Sequence, residues 1–327
     1  MGRTLPDDMA FLRRFWYNGG TKIISLALLA AALNAAAFDS ADWLGQRELF
    51  AREAERLRGA YAKCAGSLAS PAENVTIPVE TYSDGSVKTL VKAARAQFFL
   101  QEGLVWGEDV EVRRLSTNGV VEAAIDAKAC VVDRATRSGW AEGAAKVTNG
   151  KTVFSGEGVY FSSSDSYVKV FGASSFASEE IRFGADGADA SGPVRGRSRT
   201  SDFDAKSGVA LFEGDVVVTS STNVTLCADR LFMFLRGTNE LSRVVAVGSV
   251  SVTNGFRSGT CATAVYRRAK DEVELFGDAG APAVLRERGA TARSLEGAAI
   301  RFWLASEQVE VEKARIVADA ARGKELL

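Results

Sequence analysis

Residues that could carry out chemistry are scarce in this sequence of 327 residues, which contains no histidine and only four cysteines. Without histidine, the chain has no imidazole base for a serine or cysteine nucleophile and no histidine ligand for zinc, iron or copper. Cys64, Cys130, Cys227 and Cys261 form no Cys-x-x-Cys pair or other spacing typical of metal ligands. The sequence therefore predicts no metal site and no cofactor.

Carboxylates are the remaining candidates for catalysis. A polysaccharide-active β-helix enzyme would need clustered carboxylates or calcium ligands on one rung. No recognisable motif places a second acid beside Asp229, whose setting is more typical of a turn. We therefore predict that the protein is not an enzyme.

The overall charge excludes another class of function. The chain carries 40 Lys and Arg against 41 Asp and Glu, a formal net charge of -1. Proteins that bind nucleic acid use a basic excess to neutralise phosphates, so nucleic acid is not predicted as a partner. The 31 glycines and only 5 prolines favour long paired strands, because each proline would remove a hydrogen bond from the ladder.

Residues 1–37 have the features of an export signal. Four basic residues up to Lys22 precede the apolar run Ile23–Leu33, and the small residues Ala35–Ala37 follow. This order is typical of a secretory signal peptide cleaved near Ala37, which would export the protein to an oxidising compartment. An uncleaved membrane anchor is the alternative, although even the longest apolar stretch, Ile23–Phe38, has 16 residues where a membrane span needs about 20. A buried helix is the third interpretation.

Residues 38–78 are predicted to form an amphipathic helix and a linker. Apolar residues recur at spacings of three and four on one face, with Arg and Glu on the other. This face docks on the domain that follows, or else it binds a partner or a membrane surface. Pro71 and Pro78 bracket the predicted linker. The apolar stripe consists of Phe50, Ala54, Leu57, Tyr61, Cys64 and Leu68.

Beyond Val79 the sequence alternates between apolar and polar residues with the period of a β-strand. The alternation is clearest in Phe212–Thr219, Val244–Thr253 and Val273–Asp278. We therefore expect an all-β fold after the helix.

Glycines at the centres of these strands reveal an internal repeat. Gly107, Gly143 and Gly172 are followed 107, 105 and 105 residues later by Gly214, Gly248 and Gly277. The tetrapeptide Val-Thr-Asn-Gly at 147–150 also recurs 105 residues later, at 252–255. The sequence therefore predicts two tandem β-units, 79–196 and 197–327.

The repeated residues resemble the OstA-like family, which includes LptA, LptC and the N-terminal part of LptD in lipopolysaccharide export. Ala210–Val218, with its central Gly214, and Leu226–Met233, with Ala228-Asp229, resemble the two halves of the family unit. Val244–Val252 with Cys261–Tyr266 resembles the next unit, in which Thr263 replaces the aspartate. The likeness is clearest from about residue 202 to residue 311 and weaker in the first half.

The resemblance implies an antiparallel β-jellyroll or solenoid whose interior binds the acyl chains of lipid A. It further implies a non-catalytic periplasmic bridge that carries lipopolysaccharide to the outer membrane of a Gram-negative cell. Its partners would be lipopolysaccharide, other transport proteins joined by end-to-end strand addition, and further copies of itself. An LptC-like protein held in the inner membrane is a close alternative.

The predicted lining of the interior follows the apolar rows of the second unit. Alternation alone favours a closed sandwich core, and an exported structural β-solenoid without ligand is therefore the competing interpretation. The predicted lining residues are Phe212, Val216, Val218, Leu226, Leu231, Met233, Val244, Val250, Val252, Val265, Val273 and Leu275.

Cys227 and Cys261 hold equivalent places in consecutive units of the resemblance. A disulfide between neighbouring rungs is one hypothesis for them, within the strict distance limits of such bonds. Buried free thiols are the alternative, which is favoured for Cys64 and Cys130.

Overall fold

The computed structural model describes residues 40–67, 69–179, 193–220, 223–236, 240–288, 293–303, 308–312 and 315–317. The predicted signal or anchor, 1–37, lies outside these ranges. A long helix, α1 (Ser40–Ala65), precedes the strands. Among the described residues, no helix combines the length and the apolar character needed to cross a membrane.

Twenty β-strands follow α1 in the described part of the chain, and they confirm the predicted all-β class. Their bounds are β1 (Ala72–Thr81), β2 (Val87–Phe99), β3 (Leu104–Leu115), β4 (Val121–Asp133), β5 (Ser138–Asn149), β6 (Thr152–Ser162), β7 (Tyr167–Val170), β8 (Ser174–Ser178), β9 (Val194–Ser198), β10 (Thr200–Asp204), β11 (Val209–Thr219), β12 (Val224–Arg236), β13 (Glu240–Asn254), β14 (Arg257–Arg267), β15 (Glu272–Phe276), β16 (Ala283–Glu287), β17 (Arg293–Gly297), β18 (Ala299–Trp303), β19 (Val309–Glu312) and β20 (Arg315–Val317).

The strands form one antiparallel meander in which most strands pair with a neighbour in sequence. From β1 to β6 the pairing is direct. Next, β7 and β8 act as two halves of one bent strand, because both pair with β6, and β10 and β9 continue these halves to β11. The same splitting follows β14, where β15–β18–β19 and β16–β17–β20 form the two branches.

The bends fold this sheet into two facing layers. We call the layer that contains β7, β10, β15 and β18 the helix-side layer, and the layer that contains β8, β9, β16 and β17 the far layer. Aromatic rings pack between them: Phe176 stacks on Phe212 with ring centroids 4.5 Å apart, and Phe154 stacks on Phe203 at 5.2 Å. The core of the protein therefore lies between the layers.

Glycines of the repeat lie at the bends. Gly214-Asp215 takes φ values of +79° and +48°, and Gly248-Ser249 takes +79° and +47°. Strand pairing shifts register at both pairs, between Glu213 and Val216 and between Val247 and Val250. Glycine suits such left-handed backbone, which makes a bulge and turns the strand.

Helix α1 packs across the outer surface of the helix-side layer, as the docking interpretation of its apolar stripe predicts. Ala54, Leu57 and Cys64 are buried there against residues of β3 to β7. Phe50 stacks on Tyr167 with ring centroids 4.1 Å apart. Leu68, the last predicted member of the stripe, lies outside the described residues.

The predicted linker is wrong, because residues 72–81 form β1. Pro78 is compatible with this strand since β1 pairs with β2 alone among the described strands and is an edge, where a missing amide hydrogen bond is tolerated. The expected boundary between the two β-units, 196/197, falls inside β9. The division into two units stays a prediction.

Candidate functional site

The interior between the layers forms one apolar cluster that extends from β2 to β18. Leu226 packs against this cluster from a half-buried position. Ten other predicted lining residues are buried within it: Phe212, Val216, Val218, Leu231, Met233, Val244, Val250, Val252, Val273 and Leu275.

Val265 does not line the interior, and its prediction is wrong. It pairs with Val245 and lies with that residue in a separate apolar cluster on the outer surface of the helix-side layer. Cys261, four residues earlier on the same strand, packs against the interior. The bend of β14 between them shifts the alternation by one residue, so that an even spacing leads to opposite faces.

The side chains of the interior differ between the two halves of the chain. Among the described residues, alanine makes up five of the thirteen buried members from the first half and five of the twenty-one from the second, and only the second half adds Leu, Ile, Met and Tyr. Larger apolar side chains offer more contact area to a hydrophobic ligand. The second half is therefore the stronger candidate for binding one.

A cavity of about 40 Å³ lies in the second half, between the two layers. A water molecule needs roughly 10–15 Å³ measured in this way, so the cavity has room for about three waters and not for an acyl chain. Its lining is almost wholly apolar. The lining residues are Val224, Leu226, Val244, Val252, Asn254, Arg257, Gly259, Ala264, Tyr266, Val273, Leu285 and Phe302.

Four predicted residues line this cavity: Leu226, Val244, Val252 and Val273. Sequence reasoning missed Leu285 and Phe302, although Ala283–Leu285 and Ile300–Phe302 each carry a short alternation that could have found them. Arg257 gave no sequence signal.

Arg257 is the charged residue of the cavity lining. Its Nε donates to Glu287 Oε1 at 2.9 Å, and its guanidinium lies 5.8 Å from the ring centre of Phe302. The side chain is 16% exposed. Such a cation at the rim of an apolar cavity can pair with an anionic group while the lining holds an apolar chain.

The disulfide between Cys227 and Cys261 is wrong, since all four cysteines are free thiols. The two residues lie on β12 and β14, which are separated by β13. Two strand spacings amount to about 9–10 Å, beyond the Cα separation that a disulfide allows. Burial raises the pKa of Cys130 and of Cys261 to about 12.

Buried charge outside the interior holds α1 in place. Asp202 has a fully buried side chain and accepts hydrogen bonds from Arg47 at 2.6 Å, from Lys169 at 2.8 Å and from the hydroxyl of Tyr167. Burial alone would lower the pKa of Arg47, but the carboxylates of Asp202 and Glu213 raise it above its ordinary value. Arg47 thus stays charged, and this cluster ties α1 to β7, β10 and β11.

A second ionic network lies on the outer surface near the end of the ladder. Glu274 accepts hydrogen bonds from Arg267 and from Arg301, the latter at 2.6 Å. Burial alone would raise the pKa of Glu274, but these hydrogen bonds outweigh it and lower the pKa. Asp229 is exposed at the bend of β12 and accepts from Ser249 at 3.3 Å. It lies within a strand and not in the turn that its sequence setting predicts. The described residues contain no cluster of three or more cysteine or acidic side chains that could hold a metal ion.

Residues 197–308 match the family described as the LptA/(LptD N-terminal domain) LPS transport protein. The match covers about a third of the chain. No curated protein matches the sequence. Among solved structures, the chain is similar to LptH, described as the LptA homologous periplasmic component of the conserved lipopolysaccharide transport device from Pseudomonas aeruginosa. That similarity covers 40% of this chain and 97% of LptH, at 19% sequence identity and a TM-score of 0.35.

The matched segment contains the cavity. All of its lining residues, from Val224 to Phe302, fall within the matched segment 197–308. The first half of the ladder, β1 to β8, and α1 lie outside the match.

Proposed function

We propose that the protein is a non-catalytic component of lipopolysaccharide transport that binds lipid A acyl chains between its two layers. The proposal is carried by one observation: the segment that matches the family is also the segment whose interior is lined by large apolar side chains. Arg257, at the rim of the cavity, offers a cation for an anionic head group.

The energetics require the layers to move apart. Burying an acyl chain contributes about 0.8 kcal/mol per CH₂, so a 12-carbon chain contributes on the order of 10 kcal/mol. This gain offsets the separation of core side chains that line the cavity from opposite layers, such as Tyr266 and Phe302 on the helix-side layer and Leu285 on the far layer. The existing cavity is the place where an entering chain displaces the fewest contacts.

The ends of the ladder support assembly with other transport proteins by strand addition. In the described residues β1 pairs with β2 alone, and β19 and β20 each have one partner strand. Unpaired edges of this kind accept another strand. We propose end-to-end contacts with periplasmic transport proteins or with further copies, and an inner-membrane attachment if residues 1–37 are retained.

The cavity volume favours a second candidate, an exported structural β-solenoid with a filled core. At about 40 Å³ the interior is closed to an acyl chain as it stands. In that case the protein would act through its surface and its edges, without a bound lipid.

Photo-crosslinking in lipopolysaccharide-producing cells separates the two candidates. A photoreactive residue at Leu226, half-buried at the cavity, should give a lipid adduct, whereas one at the neighbouring Thr225, which faces away, should not. A lipid adduct from Leu226 alone supports the transport function. The absence of a lipid adduct at Leu226, in protein that folds normally, would reject lipid binding and favour the filled solenoid.

A further inference from the structure

The sheet divides into its two layers at two places that are 105 residues apart. Strand β6 (Thr152–Ser162) pairs with both β7 and β8, and β14 (Arg257–Arg267) pairs with both β15 and β16. We call these places the β6 fork and the β14 fork. Each residue of β6 therefore has an equivalent in β14, at the same place in the pairing of the strands.

The interior at the β6 fork is filled by aromatic rings. Phe154 of β6 stacks on Phe203 of β10 across the gap between the layers, with ring centroids 5.2 Å apart. Beside this pair, Phe176 of β8 stacks on Phe212 of β11 at 4.5 Å. The gap that remains next to the rings is about 10 Å³, which is room for one water molecule at most. The β6 fork therefore has no space for a ligand.

One of these rings is missing at the β14 fork. The residue 105 positions after Phe154 is Gly259. Phe203 has an equivalent in Phe302, since each lies on the strand that pairs with the helix-side branch of its fork. Leu275 takes part of the space of the missing ring, because its Cδ1 lies 2.6 Å from where a Cβ of Gly259 would be. The cavity of about 40 Å³, lined by Gly259 and Phe302, is the part that stays open.

A charged side chain closes the β14 fork at the rim of the cavity. Arg257 donates to Glu287 at 2.9 Å within the far layer, and its Nη1 lies 3.5 Å from the carbonyl oxygen of Trp303 on the helix-side layer. Arg257 thus bridges the two layers. The equivalent positions at the β6 fork hold Thr152 and Ser178, whose buried hydroxyls lie 2.7 Å apart. The ionic pair is therefore a feature of the β14 fork and is absent from the β6 fork.

We propose that the chain binds one lipid acyl chain, at the β14 fork alone, and that Arg257 then leaves the helix-side layer to bind the phosphate of the lipid head group. This inference rests on the proposed lipid binding and adds the number of sites and the residue that selects the ligand. A guanidinium binds phosphate through two parallel hydrogen bonds, while the apolar lining holds the chain. Glu287 keeps Arg257 at the rim and competes with the phosphate for it.

Isothermal titration calorimetry of the purified full chain tests the proposal with two probes. Dodecyl phosphate and 1-dodecanol, both below their critical micelle concentrations, have the same chain and differ in the anionic group. We expect one dodecyl phosphate per chain, bound about tenfold more tightly than 1-dodecanol, which is the effect of one hydrogen bond between charged groups. Two molecules of dodecyl phosphate per chain would overturn the single site.

The role of Arg257 is tested by three variants. Arg257→Gln should remove the preference for dodecyl phosphate without weakening 1-dodecanol, and Glu287→Gln should increase the preference. Lys151→Gln is the matched control, since Lys151 is exposed at the corresponding end of β6, and it should change neither affinity. Equal affinities of the two probes for the wild type, or a preference that persists in Arg257→Gln, would overturn the role of Arg257.

The position of the site is tested by restoring the missing ring. Gly259→Phe, with its fold checked by circular dichroism, should block both probes, and unchanged binding would overturn the placement. If this variant does not fold, photoreactive residues at Val252 and Val147 decide, because these buried residues pair with Gly259 and with Phe154 at the two forks. In cells, Val252 should give a lipid adduct and Val147 should not. An adduct at Val147, or none at Val252, would overturn the placement.

These outcomes are separable from a failure of the proposed function. If Leu226 crosslinks to lipid in cells while the wild type binds neither probe, or while Val147 also gives an adduct, lipid transport stands and the single phosphate-selecting site falls. If Leu226 gives no lipid adduct and neither probe binds, both fall.

Discussion

Asp202 is predicted to be the most important charged residue for the stability of the fold. Its side chain is fully buried and contacts Arg47, Lys169 and Tyr167. The side chains of the two cations are themselves largely buried, at 15% exposed for Arg47 and 12% for Lys169. In Asp202→Asn the shape is kept but the charge is lost, so two buried cations lose their shared counter-ion. Removing one member of a buried ion pair typically costs 3–5 kcal/mol.

The expected loss for Asp202→Asn lies at the lower end of that range. Arg47 keeps its second carboxylate, because Glu213 lies 2.7 Å from the same nitrogen. Lys169 keeps no acidic partner within the ion pairs of the described residues. We therefore expect a decrease of about 3 kcal/mol in the free energy of unfolding, which is over a hundredfold in the folding equilibrium.

Urea unfolding followed by circular dichroism measures this loss, with Asp215→Asn as the matched control. Asp215 pairs with Arg199 at 2.6 Å, but the two side chains are 74% and 73% exposed. An exposed pair contributes under about 1 kcal/mol, so the control should differ little from the wild type. Equal losses in the two variants would refute the view that Asp202 anchors α1 to the ladder.

Three further predictions concern the bends, the ionic network and the thiols. Gly248→Ala should destabilise the protein more than Gly143→Ala. Both glycines have positive φ, which costs about 1–2 kcal/mol for alanine, but only at Gly248 would the new Cβ clash with the side chain of Asp229. Thermal denaturation measures both losses, and Asp229→Ala should partly rescue Gly248→Ala. The pKa of Glu274 is lowered from 4.5 in the folded state, so its ionised carboxylate stabilises the fold above that pH, and this stabilisation is lost as the pH falls through the lower folded value. In Glu274→Gln, the free energy of unfolding should therefore fall less steeply on the acid side of its pH dependence. An unchanged acid side would contradict the lowered pKa of Glu274. Alkylation at pH 8 without denaturant should spare Cys130 and Cys261, because burial raises their thiol pKa to about 12. After unfolding, all four thiols should react, and mass mapping that finds a Cys227–Cys261 disulfide would contradict the structure.

The sequence predicted the elements with a sustained period well. The stripe from Phe50 to Cys64 has helical spacing over four turns, and α1 docks by these residues. The apolar row of β13, Val244, Ala246, Val250 and Val252, faces the interior because the two-residue bulge at Gly248-Ser249 preserves the alternation.

Sequence periodicity failed where a bend changes the alternation or where pairing decides the outcome. Even spacing predicts the wrong face for Val265, because the bend of β14 shifts the alternation between it and Cys261. Residues 72–81 have little apolar alternation and two flanking prolines, yet pairing with β2 makes them a strand. The failed disulfide has the same origin, since equivalent positions in consecutive repeats lie two strands apart in a meander.

The candidate site could be predicted only in part for a related reason. The cavity depends on how far the two layers stand apart, which follows from the packing of Tyr266, Leu285 and Phe302 across the gap. Alternation identifies the face that a residue occupies but not the distance to the opposite face. Alternation alone therefore does not distinguish a filled core from an open groove.

The meander has a consequence for the order in which the molecule folds. Each bent strand pairs with the next one along the chain, so most loops close over short sequence separations, a condition that favours rapid folding. Growth can proceed by addition of one hairpin after another, as in repeat proteins. Helix α1 is the exception, because Arg47 reaches Asp202 and Glu213 across more than 150 residues. The first described element of the chain is thus expected to be among the last to reach its final place.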